Sequence, residues 1–235
     1  MHEDVAEARA RDVSRVLNEF LERLAADVPT ETFEHLMFGK QTLAGAEIGY
    51  KPEAYTRLNL VEPLLQAVDL EYQLEPRSSG VQRDHWPDFK LTSPAIPYIG
   101  EVKPLHDVDS GRDEIRTYLG IDGFDSPYGL CTDGVEWLVF GPPADGGQES
   151  GAVVRKRVSL DDALKSVALT EGHWDNDLVA ASIRASGIDQ VEAFPRAFDA
   201  DELDTWALEK MPPAYRTTYM RDHESLQASL DWEWE

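Results

Sequence analysis

A single cysteine in 235 residues, Cys131, rules out an internal disulfide and any cysteine-based zinc or iron–sulfur site. Set in an apolar run, it reads as a small buried hydrophobe. Lysine is scarce, seven against fifteen arginines, and 45 acidic residues leave a formal net charge of −23. No stretch approaches the roughly 18 uninterrupted apolar residues of a membrane helix. The start, Met1-His2-Glu3-Asp4, is acidic where a secretory signal is basic. The expectation is a cytoplasmic protein with no membrane partner. Phosphate-binding P-loops, HExxH pairs and nucleophile elbows are all missing, as are internal repeats and low-complexity segments.

The charge bears on partners. Nucleic-acid binding uses a basic surface that releases counterions, and −23 points the other way. Diffuse acidity with little lysine nevertheless resembles proteins of salt-loving archaea, so the expected setting is a halophilic archaeon or its virus. In molar salt the Debye length falls to about 3 Å, which screens distant repulsion and leaves only contacts inside a site. An acidic protein can also imitate DNA, although no phosphate-like charge row is concentrated here.

With 42% hydrophobic residues the chain can bury one substantial core plus a helical appendage. Val13, Val16, Leu17, Phe20, Leu21 and Leu24 recur at spacings of three and four, which predicts one helix with an apolar stripe. Residues 28 to 50 read as a connection with one short helix. "KPEAYTRLNLVEPLLQAVDL" predicts a helix opening at Pro52, burying Leu58, Val61, Leu64, Leu65 and Val68, and kinked or restarted at Pro63. "DSGRDEIRTYLG" predicts a short helix capped by Ser110 and ended by Gly120. In "YGLCTDGVEWLVFG", Asp133-Gly134 predicts a tight turn between two strands. Residues 142 to 151 form a loop by composition. The rest alternates short helical patterns with acidic turns, and from Arg155 onward nine basic residues face seventeen acidic ones, which makes that region a poor grip for DNA by itself. The predicted architecture is α/β with a mixed sheet. It divides into an N-terminal helical segment (1–50), a core (51–157) and a mainly helical C-terminal region (158–235).

One stretch carries chemistry: "WPDFKLTSPAIPYIGEVKPL", residues 86 to 105. Alternation along a strand puts Glu101 and Lys103 on one face and Val102 on the other. A hairpin with its tip at Pro94-Ala95 sets Asp88 opposite Glu101; other tips shift that register. Opposed carboxylates repel unless a cation lies between them. Two carboxylates with a backbone carbonyl make a hard oxygen set suited to Mg²⁺, and a neighbouring ammonium can balance charge on a phosphate.

At this stretch the chain resembles the PD-(D/E)xK nuclease superfamily, through Pro87-Asp88 and Glu101-Val102-Lys103. Residues 53 to 140 look like the N-terminal nuclease domain of type I restriction enzyme motor subunits. Two further blocks carry the likeness: "EAYTRLNLVEPLL" before the hairpin and "GLCTDGVEWLVF" after it. The resemblance implies a restriction-endonuclease-like sheet and metal-dependent hydrolysis of DNA, in restriction, defence or repair. It implies Mg²⁺, with Mn²⁺ able to substitute, on Asp88, Glu101 and the Val102 carbonyl. Lys103 becomes the catalytic lysine and Glu53 a helix glutamate assisting metal or water. Arg57 can meet a phosphate or pair with Glu53. The family's Gln-x-x-x-Tyr helix reads Glu114-x-x-x-Tyr118 here, a departure that weakens position 114 as a DNA contact but keeps Tyr118. Arg112 and Arg116 are phosphate-contact candidates or solvated surface residues. His85 and His106 flank the motif. Since no motor is present in the sequence, either a motor or specificity protein is supplied by another chain or the protein works alone, and a homodimer is open. The alternatives are a non-catalytic nuclease-fold binding or scaffolding protein and an acidic DNA mimic.

Overall fold

A computed structural model describes residues 2–77, 86–121, 124, 126–143, 151–173, 180–213 and 216–217. His85, most of the 142–151 loop and the C-terminal "DWEWE" lie outside the described residues. The chain is mixed α/β: a six-stranded sheet in the order β1-β2-β3-β4-β5-β6, flanked by helices. No helix among the described residues is long and apolar enough to cross a membrane.

The first helix, α1 (His2–Asp27), buries its whole expected stripe from Val13 to Leu24. Pro29, which cannot continue a helical ladder, separates it from α2 (Thr30–Met37). Gly39 at φ +63° then lets the Gly39 amide reach the Leu36 carbonyl and the Lys40 amide reach that of His35. That pairing satisfies the orphan carbonyls of α2.

Pro63 acts on the next helix in a particular way. An α-helical segment, α3 (Pro52–Thr56), passes through a π-helical turn at Arg57–Val61 into α4 (Glu62–Ala67). Proline lacks an N–H and clashes with the carbonyl four residues back, and a wider turn relieves both. The turn shifts the buried face: after Tyr55 and Thr56 the next inward residues are Leu60 and Val61, five positions on, followed by Leu64, Leu65 and Val68. Leu58, expected inside from ordinary helical spacing, is therefore exposed.

Strands β1 (Tyr72–Leu74), β2 (Phe89–Leu91) and β3 (Tyr98–Val102) are antiparallel neighbours. A crossover through a 3₁₀ turn (Val108–Gly111) and α5 (Arg112–Leu119) brings the chain back parallel to β3 as β4 (Tyr128–Thr132). Ser110 does not cap α5; Gly111 stands at the cap and the Ser110 hydroxyl bonds the Asp107 carbonyl. Strands β5 (Glu136–Gly141) and β6 (Val153–Ser159) complete the sheet antiparallel. The helices α6 (Asp161–Thr170), α7 (Ala180–Ala197) and α8 (Ala200–Lys210) follow.

The two faces of the sheet differ. One carries the large core, where Phe89, Leu91, Tyr98, Val102 and Leu130 meet buried residues of α1 to α4 and of α6 to α8. The other carries a small cluster of Ile99, Cys131, Leu138 and Phe140 beneath Ile115 and Tyr118 of α5. The small cluster leaves one end of its face for polar groups.

The expected Asp133-Gly134 turn joins β4 to β5. Asp133 is buried and its carboxylate accepts the amides of Val135, Glu136 and Val108, so one side chain holds both the hairpin and the start of the crossover. Replacing Asp133 by Ala strands three buried amides, and we expect a loss of about 3 kcal/mol in urea unfolding. Asp133→Asn keeps an acceptor at Oδ1 and should retain most of the stability.

Candidate active site

The expected register holds. Phe89 pairs with Gly100, Lys90 with Ile99 and Leu91 with Tyr98, which sets Asp88, one residue before β2, opposite Glu101. Gly100 is required here: a Cβ would sit 2.1 Å from the Phe89 ring, which lies across it on the large-core face. Alternation then directs Asp88, Glu101 and Lys103 to the other face, at the open end of the small cluster.

Backbone hydrogen bonds fix the arrangement. The Lys103 amide donates to Thr132 of β4. The Val102 amide points the opposite way and donates to Asp88 Oδ2 at 2.8 Å. A strand residue's N–H and C=O share a direction, so the Val102 carbonyl faces the Asp88 side as well. Beyond β3, the Leu105 amide bonds Thr56 Oγ1 at 3.1 Å while Thr56 donates to the Pro52 carbonyl. This buried threonine clamps α3, and with it Glu53, to the strand end bearing Lys103.

Lys103 is the electrostatic centre. Its Nζ lies 3.0 Å from Glu101 Oε1 and 3.8 Å from Glu53 Oε1, and it contacts Glu114 Oε2 on α5. Tyr118, one turn along α5, is buried close enough to Glu101 for that carboxylate, after burial itself, to push its phenol up. Burial pushes the Asp88 carboxyl up, against the Val102 amide and the positive charge of Arg57. Burial, followed by the charge of Asp88, raises Glu101 to about 8. Burial alone would lower Lys103, but Glu114 and Glu101 outweigh it and hold the ammonium above its ordinary range. Burial keeps the Cys131 thiol protonated.

The structure thus brings together Asp88, Glu101, Val102, Lys103, Glu53 and Tyr118, with Arg57 near enough to act on Asp88. It also defines the surroundings of five further residues. Arg57 pairs with Glu62 at 3.5 Å and not with Glu53, since the π turn, closed by the Glu62 amide on the Arg57 carbonyl, sets these two residues one turn apart. Arg112 and Arg116 are tied to Asp109 and Asp113 of their own chain segment, on the side of α5 away from the carboxylates. His106 turns to the other face, where it is within electrostatic range of Asp161 and Lys165 of α6 and its Nε2 is buried without a hydrogen-bond partner among the described residues. Glu114, a weakened candidate for DNA contact, reaches Lys103 directly. Spacing after the lysine marks Glu114 only once α5 is docked against β3 and β4, and Thr56 escaped notice because it acts through one hydroxyl.

As a cation site, the donors fit in type: a buried carboxylate (Glu101), a half-buried one (Asp88) and a carbonyl, all hard oxygens, with a repulsion that a divalent ion would discharge. Among the described residues, no three His, Cys, Asp or Glu side chains gather to hold a metal without such backbone help.

Compared with known proteins, a stretch of 96 residues is 27% identical to part of a protein of Methanocaldococcus jannaschii named a "putative type II restriction enzyme and methyltransferase". The match spans 39% of this chain and 8% of that relative. No family model matches, and no solved structure matches.

Two outcomes follow. Gly111 has dihedrals open to any residue, yet a Cβ there would stand 2.5 Å from Cys131 Sγ and 2.8 Å from Lys103 Cε. Gly111→Ala should lower stability by about 1–3 kcal/mol in chemical unfolding, with part of it restored in Gly111→Ala/Cys131→Ala. His106 is held below its ordinary value of 6.5, mainly by burial. The unfolded chain therefore takes up that proton more readily, and the stability tied to neutral His106 is complete above about pH 6.5 and falls as pH drops through it. Since His106 has φ +64°, Asn is the substitution its backbone tolerates. His106→Asn should flatten the fall of the unfolding temperature between pH 7.5 and 5.5.

Proposed function

We propose that the chain is a restriction-endonuclease-like, metal-dependent nuclease that hydrolyses phosphodiester bonds of DNA. The observation that carries this reading is the convergence of Asp88 and Glu101, from adjacent antiparallel segments, with the Lys103 ammonium on one face of the sheet. The similarity to a protein named for restriction points to the same class.

Asp88, Glu101 and the Val102 carbonyl would hold Mg²⁺, or Mn²⁺ in its place. A divalent ion there supplies charge neutralisation on phosphate oxygens and a water acidic enough to attack at neutral pH. Tyr118, buried near Glu101, would offer its hydroxyl to that carboxylate. Thr56 holds Glu53 at the strand end, where it can receive a hydrogen bond from the attacking water. Lys103, delivered two residues after Glu101, places its ammonium against a non-bridging oxygen and stabilises charge as the 3′-oxygen leaves in line. Arg57 lies beside Asp88 as a second positive group for the backbone of the substrate.

A second reading keeps the fold and drops the chemistry. It is favoured by the ammonium that three carboxylates already share, and it describes a non-catalytic binding or scaffolding protein.

Cleavage of plasmid and oligonucleotide DNA with Mg²⁺ or Mn²⁺, in KCl from 0.1 to 2 M, separates the two. We expect Asp88→Asn to retain the unfolding temperature within a few degrees, Lys103→Ala to lower it because buried Glu101 loses its counter-charge, and both still-folded variants to lose roughly 10²-fold or more in cleavage rate, the scale of removing one transition-state charge contact. Unchanged cleavage in both variants excludes these roles.

A further inference from the structure

The Lys103 ammonium is reached from solvent past a carboxylate. The side chains of Lys103 and Glu101 are 7% and 10% exposed, whereas that of Glu114 is 46% exposed while its Oε2 touches Nζ. The buried side of the ammonium is taken by Glu101 and its open side by Glu114, with Glu53 further off at 3.8 Å. The lysine stem cannot withdraw toward α5, since Gly111, one turn before Glu114, already lies against it so closely that a Cβ would stand 2.8 Å from Cε. Glu114 makes no other ion pair among the described residues.

Resting on the nuclease reading, we propose that Glu114 is a gate built into the site, an internal anion that occupies the place on Lys103 that a backbone phosphate of the substrate must take. A phosphate oxygen and the Glu114 carboxylate compete for the same donor hydrogens, so the pair has to open before the substrate is seated. The half-exposed Glu114 is accessible to screening ions, while the Glu101 contact beneath it is shielded. Salt therefore loosens the gate without releasing Lys103 from its anchor. For a chain of net charge −23, this makes the site responsive to ionic strength: restrained in dilute salt and freed in concentrated salt.

Glu114→Gln keeps the shape and removes the charge. The measurement is DNA cleavage by the full chain with Mg²⁺, together with anisotropy of a fluorescent duplex bound in Ca²⁺, both across 0.1 to 2 M KCl. We expect Glu114→Gln to bind and cleave roughly tenfold better than the unaltered protein at low salt, the worth of one charge-assisted contact. The gain should lie in KM with kcat nearly unchanged, and the two proteins should converge at 2 M KCl. A ratio independent of salt, or a drop in kcat like that of Lys103→Ala, overturns the gate while leaving the nuclease reading intact. If the unaltered protein neither binds nor cleaves DNA at any salt concentration, both are overturned.

Discussion

Two opposed carboxylates, one buried and one half-buried on adjacent antiparallel segments, must find positive charge, and much of the molecule is arranged around that need. Asp88 and Glu101 face each other because β2 and β3 pair in one register, and that register is held by the packing of Phe89 over a residue without a side chain. The Val102 amide answers Asp88 and the Lys103 ammonium answers Glu101, yet both acids stay above their ordinary range. Burial of like charge at this cost is characteristic of sites that receive a cation or a charged substrate.

The surrounding elements serve the same end from several directions. Thr56 fastens the helix of Glu53 and Arg57 to the end of β3. The π turn forced near Pro63 brings Glu62 beneath Arg57, which also stands within electrostatic range of Asp88. The crossover helix α5 lies close on β4, where a Cβ at Gly129 would come within 2.7 Å of Ile115, and so delivers Tyr118 to Glu101 and Glu114 to Lys103. Asp133 ties the start of that crossover to the β4–β5 hairpin. A rigid frame of this kind holds these side chains in place before any ligand arrives.

What could be read from the residues alone depended on how local the cause was. The α1 stripe, the Asp133-Gly134 turn and the pairing of Asp88 with Glu101 follow from periodicity and a short hairpin, and all three are present. Leu58 was misplaced because proline changed the helical phase by one residue. Strand β6 was hidden by Arg155, Lys156 and Arg157. In the fold Lys156 lays its stem over Phe198 and Trp206 and Arg157 reaches Glu136, so cationic residues act as strand surface. The short β1 has too few residues to show a pattern. Contacts across the crossover, above all Glu114 with Lys103, depend on docking that no sequence spacing states.

The central claim is that the opposed acids are built to take a hard divalent cation. Calorimetric titration of Mg²⁺ and Mn²⁺ into the unaltered protein and into Glu101→Gln tests it most directly. The account predicts saturable uptake near one ion per chain that disappears in Glu101→Gln. Heats that are absent in the unaltered protein, or unchanged by the substitution, contradict it.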